Sequence, residues 1–124
     1  MPVSVRYIVR DVDAAIRFYT IALGFKVDLH PASGFARLSR GELHLLLNRP
    51  GAGGAGQSMS DGQQPAPGGW NRIQIEVDDL EETVTKLKRE GHNFRSDVII
   101  GNGGKQVLID DPSGNPIELF EPAK

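Results

Sequence analysis

From Val3 to Val9 apolar and polar residues alternate, with Val5, Tyr7 and Val9 on one side and Ser4, Arg6 and Ile8 on the other; that period of two predicts a β-strand. The rhythm then changes. Asp11 opens a stretch in which Val12, Ala15, Ile16, Tyr19, Ala22 and Leu23 recur at helical spacing, and Gly24 closes it. Alternation returns in three further segments, 25–29, 35–39 and 43–47, the last two joined by a turn at Arg40-Gly41.

The second half follows the same plan. Residues 72–77 alternate as a strand. Asp79 begins a helix with Glu82 placed as a capping-box partner, Leu80, Val84 and Leu87 as its apolar stripe, and Gly91 as its stop. Its acidic start and basic end suit the helix dipole. Strands are then expected at 94–99, 105–110 and 117–120. Val9-Arg10-Asp11-Val12 answers Val77-Asp78-Asp79-Leu80 at a constant shift, so the chain reads as a duplicated βαβββ unit of α+β class. The modules are 1–49 and 70–124, together forming a single domain. Between them lies "PGAGGAGQSMSDGQQPAPGG", 50–69, half of it glycine or proline. Such a segment is expected not to pack and to serve as a mobile connector, with a lid over a pocket as the functional alternative.

Composition narrows the function. A length of 124 residues and a formal charge of −2 fit one compact domain without a basic face, which argues against nucleic acid as partner. The chain contains no cysteine, so disulfides, thiolate metal sites and cysteine nucleophiles are excluded. No charged leader with an apolar run precedes the first strand, and no stretch approaches the ~20 apolar residues of a membrane span. The expectation is a soluble, cytoplasmic domain with no membrane partner. Serines occur, but none in a Gly-x-Ser-x-Gly elbow, and the sequence assigns no His–Asp pairing; covalent catalysis is disfavoured. "GNGGK", 101–105, lacks the following helix of a phosphate loop and reads as a turn.

Two motifs carry a resemblance. "VRYIVRDVDAAIRFYTIALGF" resembles the opening, and "DDPSGNPIELFEP" the closing signature, of the vicinal oxygen chelate superfamily, which includes glyoxalase I, extradiol dioxygenases and bleomycin-resistance proteins. The resemblance implies two βαβββ modules forming curled mixed sheets around a shared cavity, in a homodimer. In the family's metal-dependent members the ligands come from the first and last strand of each module. Carried over, those positions are Ser4 and Arg72, and His44 and Glu118, the latter two lying in the matching final strands. Ser4 is a poor ligand and Arg72 a fixed cation, so the expected metal set is broken and only His44 and Glu118 remain for a divalent Fe, Mn, Ni or Zn.

Alternation then defines the cavity face: Ser4, Arg6 and Ile8; Arg72, Gln74 and Glu76; His44 and Leu46; Glu118 and Phe120; with Gln106 and Leu108 in looser phase and Trp70 near the mouth. An Arg72–Glu118 pair with His44 nearby is the expected way to bury these charges, either as structure or as ligand contact. His44 is a core histidine or a catalytic one. Trp70 is expected as a core-edge aromatic rather than a stacking platform. The leading expectation is a protein with a degenerate metal site that binds a small anionic or carbonyl-bearing molecule in an inter-module cleft, with Glu118 and His44 as candidate proton-transfer groups. The alternative is a metal-dependent lyase, isomerase or dioxygenase acting on vicinal oxygens.

Overall fold

The structure, a computed structural model, describes residues 3–124. The chain divides into two compact units, one ending at Pro67 and the other running from Gly68 to Lys124. The first contains β1 (Ser4–Ile8), α1 (Val12–Arg17), a π-helical turn (Phe18–Ala22), β2 (Lys26–Ala32), β3 (Phe35–Arg40) and β4 (Leu43–Asn48). The second contains β5 (Ile73–Glu76), α2 (Leu80–Arg89), β6 (Ile99–Ile100), β7 (Gly104–Asp110) and β8 (Pro116–Pro122). Their sheets share one topology, β1-β4-β3-β2 and β5-β8-β7-β6. In each, the first strand runs parallel to the last and the other pairs are antiparallel. The duplicated α+β pattern read from the sequence is therefore the observed one.

In the first unit Val9, Ala36, Leu38, Leu45 and Leu47 are fully buried with Val12, Ala15 and Tyr19 of the helical segment. Burying each such aliphatic side chain contributes roughly 1.5–3 kcal/mol relative to leaving it exposed. Asp11 caps α1 by accepting from the Ala14 N–H at 3.0 Å. The helix does not stay α-helical to Gly24. Its last turn widens to a π-turn, where the Thr20 hydroxyl donates to the Ile16 carbonyl at 2.7 Å. Consecutive Phe18 and Tyr19 are both buried there and meet edge to face at 5.1 Å, and Phe25 closes on Tyr19 at 5.5 Å. β2 is the outer strand; Pro31 and two register shifts blunt its open edge.

In the second unit Leu80, Val84 and Leu87 of α2 are buried, as are Val107, Ile109, Ile117 and Leu119 of the sheet. Asp79 accepts from the Glu82 N–H at 3.0 Å, and a second cap comes from Glu121 of β8, whose Oε1 accepts from the Leu80 N–H at 2.9 Å. Gly91, at φ +89°, ends the helix: its N–H bonds the Lys88 carbonyl and the His92 N–H bonds the Leu87 carbonyl, the two bonds of a Schellman motif.

Two expectations are corrected. The segment expected as a strand at 94–99 pairs only through a bridge at Phe94 and the short β6. Ser96 Oγ accepts the Leu108 N–H at 3.1 Å, so a side chain replaces the ladder's backbone acceptor and the strand breaks there. The connector, expected not to pack, folds over its first part. Gly51 N–H bonds the Gly56 carbonyl at 2.6 Å, and Gln57 Nε2 donates to the carbonyls of Gly51 and Gly53. Glycine is what lets it close: a Cβ on Gly56 would lie 2.5 Å from the Arg49 carbonyl oxygen.

The "GNGG" turn joins β6 to β7, and Gly104, at φ +148°, lies against the Glu121 carbonyl and Pro122. Gly104→Ala is expected to cost about 2 kcal/mol or more, whereas Gly103→Ala, with open space at its Cβ, changes stability by less than about 0.5 kcal/mol; urea midpoints of the two variants check this.

Candidate functional site

β8 lies between β5 and β7, and its alternation sends Ile117 and Leu119 into the helix-covered core and Glu118 to the other face. There Glu118 stands beside Gln74 and Leu108 and is only 8 % exposed. Three side-chain donors saturate it. Arg72 Nε and Nη2 converge on Oε1 at 3.0 and 2.9 Å, and Gln74 Nε2 donates to Oε2 at 2.6 Å. A carboxylate taken out of water needs such partners, and charge-assisted bonds of this length are the strong kind. Arg72 Nη1 also reaches the Trp70 carbonyl at 3.4 Å. Phe120 and Gln106, half-buried, sit opposite each other on the same face.

Trp70 is not the core-edge aromatic expected. The residue is 68 % exposed, and its ring carries the Arg95 guanidinium 4.7 Å from its centroid. Arg95 is held there by the Gly69 and Gly114 carbonyls and by Asp110 at 3.1 Å. Chain that enters the second sheet is thus anchored by a cation–π stack rather than by burial.

On the first sheet Ser4 lies opposite His44, and Arg6 opposite Leu46. Ser4 and Arg6 are exposed, whereas His44 and Leu46 are half-buried. The close neighbour of His44 is a residue the sequence reading missed, Asp28. His44 Nδ1 and Arg37 Nε each lie 3.9 Å from Asp28 Oδ2, Lys26 Nζ lies 4.0 Å from Oδ1, and Ser39 Oγ donates to Oδ1 at 3.0 Å. The His–Asp pairing that the sequence did not assign is therefore present, across β2 and β4. Its signal was the alternation Lys26-Val27-Asp28-Leu29, which puts Asp28 on the face opposite Val27; the register shift after Val27 hid its partner. The contact is looser than the Glu118 network. At 3.9 Å neither His44 Nδ1 nor Arg37 Nε is hydrogen-bonded, and both are buried without an acceptor.

The supposed match between His44 and Glu118 is also corrected. Val9 N–H bonds the Asn48 carbonyl, and its counterpart Val77 N–H bonds the Phe120 carbonyl. Asn48 therefore answers Phe120, and Leu46, not His44, answers Glu118. The final strands share one register against their first strands, and His44 stands two residues before the position that answers Glu118.

A divalent ion does not fit this donor set. Around Glu118, one oxygen is taken by the fixed cation of Arg72 and the other by Gln74. Among the described residues no three His, Asp or Glu side chains cluster as metal ligands.

Comparisons with known proteins agree with the architecture. Residues 2–119 match the model of the Glyoxalase/Bleomycin resistance protein/Dioxygenase superfamily. No curated protein matches the sequence. Solved structures do. A lactoylglutathione lyase from Agrobacterium tumefaciens is 22 % identical with TM-score 0.74, covering 98 % of this chain and 92 % of its own. TnmS3, an antibiotic binding protein from Streptomyces sp. CB03234, is 20 % identical with TM-score 0.74, covering 99 % and 96 %. TioX from Micromonospora sp. ML1 is 18 % identical with TM-score 0.76, covering 99 % of each. At these identities the likeness is one of fold.

The Glu118 network makes a stability prediction. Arg72→Met leaves a buried carboxylate on Gln74 alone and is expected to cost about 2–3 kcal/mol, while Arg72→Met with Glu118→Leu recovers most of the loss. Chemical denaturation of the single and double variants reads the difference.

Proposed function

Because the chain belongs to the Glyoxalase/Bleomycin resistance protein/Dioxygenase superfamily, we propose that it binds a small organic molecule of anionic or carbonyl character on the helix-free faces of its sheets, with no resident metal at Glu118. The observation that supports this is the state of Arg72. Its Nε and Nη2 orient the guanidinium on Glu118, while N–H groups of Nη1 and Nη2 beyond those bonds remain to meet ligand oxygens. Glu118 thus acts as the positioning partner of Arg72 in this reading. In this reading Gln74, which shares Glu118 with Arg72, and Trp70, Gln106 and Phe120 of the same unit supply further ligand contacts, and Ser4, Arg6, His44 and Leu46 offer a second set on the first sheet. Antibiotic binding in TnmS3 and lyase activity in the Agrobacterium protein are properties of those proteins. Here the donor set favours binding over metal-assisted lyase, isomerase or dioxygenase chemistry.

We propose further that the chain self-associates as a homodimer, since the outer strands carry exposed apolar pairs, Val27 with Leu29 and Ile99 with Ile100.

Thermal-shift titration of the purified protein with carboxylates, phosphates, enolates and matched cationic compounds tests the binding reading. The anionic set should raise Tm, by the equivalent of about 2.7 kcal/mol at a hundredfold excess over Kd, and Arg72→Lys should reduce the shift. Absence of any shift across the anionic set overturns it. A stoichiometric metal in chelator-free protein that is lost in His44→Ala would instead establish the metal-dependent alternative.

A further inference from the structure

A cavity of about 490 Å³ lies at one end of the first sheet. Its walls are Arg6 of β1, the β2–β3 turn with Phe35, the end of β4 at Asn48 and Arg49, and the folded start of the connector, 52–55. Only Arg6 was among the expected site residues.

Three observations converge on it. First, Asn48 is 3 % exposed, its Nδ2 donates to the Ala52 carbonyl at 3.4 Å, and its Oδ1 has no donor. A buried acceptor without a partner is costly, and native proteins satisfy such groups with water or ligand. Second, Arg6 and Arg49 contribute two guanidinium groups with no carboxylate partner within 4.0 Å among the described residues. Third, the wall is built rather than loose. Arg49 N–H bonds the Gly34 carbonyl at 2.9 Å and Ala52 N–H bonds the Arg49 carbonyl at 3.0 Å. A Cβ on Gly34 would lie 2.5 Å from Ala52 Cβ, so glycine there lets the connector dock.

We infer that this cavity binds a small carboxylate carrying a hydroxyl or amide N–H next to its acid group. The carboxylate faces Arg6 and Arg49, the neighbouring donor satisfies Asn48 Oδ1, and the apolar remainder packs on Phe35. Two cations select the acid, while the orphan carbonyl selects the donor beside it, because a ligand lacking that donor leaves Asn48 unpaired. The inference goes beyond the reading centred on Arg72: Asn48, Arg49 and the connector belong to no site considered above.

Isothermal titration of the full chain with mandelate, phenylacetate and 1-phenyl-1,2-ethanediol tests it. Mandelate should bind, phenylacetate about fivefold or more weakly for want of the hydroxyl, and the uncharged diol not measurably. Arg49→Gln, at an exposed position, should weaken mandelate about tenfold, and Asn48→Leu should make mandelate and phenylacetate equal. Amide shift changes on adding mandelate should be confined to Arg6, 32–35 and 48–55. No binding of mandelate, equal binding of mandelate and phenylacetate to the unmodified chain, or indifference to Arg49→Gln overturns the inference. Amide shift changes confined instead to 70–76 and 118–120 also overturn it while leaving the Arg72-centred reading intact.

Discussion

Each four-stranded sheet in this chain has one short helical segment to cover it, and a single helix shields only one face. Leu45, Leu47, Ile117 and Leu119 fill the covered side, so the residues alternating with them must stand on a face that has no helix. Among them are His44, Asn48 and Glu118. The covered faces, by contrast, are packed mainly with aliphatic and aromatic side chains.

The two sheets treat their carboxylates differently. Glu118 is closed: three short hydrogen bonds occupy both oxygens, and the guanidinium that supplies two of them is held in one orientation. Asp28 is open: it sits among Lys26, Arg37, His44 and Ser39 with one hydrogen bond, and the nearby nitrogens of His44 and Arg37 stop short of bonding distance. Asn48, on the same sheet, leaves a carbonyl oxygen unmet. Fixed geometry is thus concentrated in the second unit and unsatisfied polar capacity in the first.

Much of this was legible in the residues. Period-two and helical spacing located both helices and seven of the strands to within a few residues, and Asp11, Asp79 and Gly91 marked helix ends because caps follow local chemistry. The proximity of Arg72 to Glu118 followed from alternation and the cost of a lone buried charge. Other features were hidden because they depend on partners distant in sequence. Ser96 interrupts a strand only by bonding β7, Glu121 caps a helix from a strand 41 residues away, and Asp28 meets His44 only after a register shift that no local pattern announces. The connector was misread for a different reason: glycine content signals freedom, yet at Gly34 and Gly56 the missing Cβ is what permits close packing.

The likeness of the two registers says something about how duplicated sheets diverge. Leu46 stands beside Arg6 as Glu118 stands beside Gln74. Sliding a final strand by one place would have turned its aliphatic residues outward and drawn charged groups into the hydrocarbon interior. With register held, substitution on the opposite side avoids that penalty, so corresponding spots carry a leucine in one half and a glutamate in the other. A repeated scaffold of this kind varies its chemistry by exchanging side chains in place, with little loss of core.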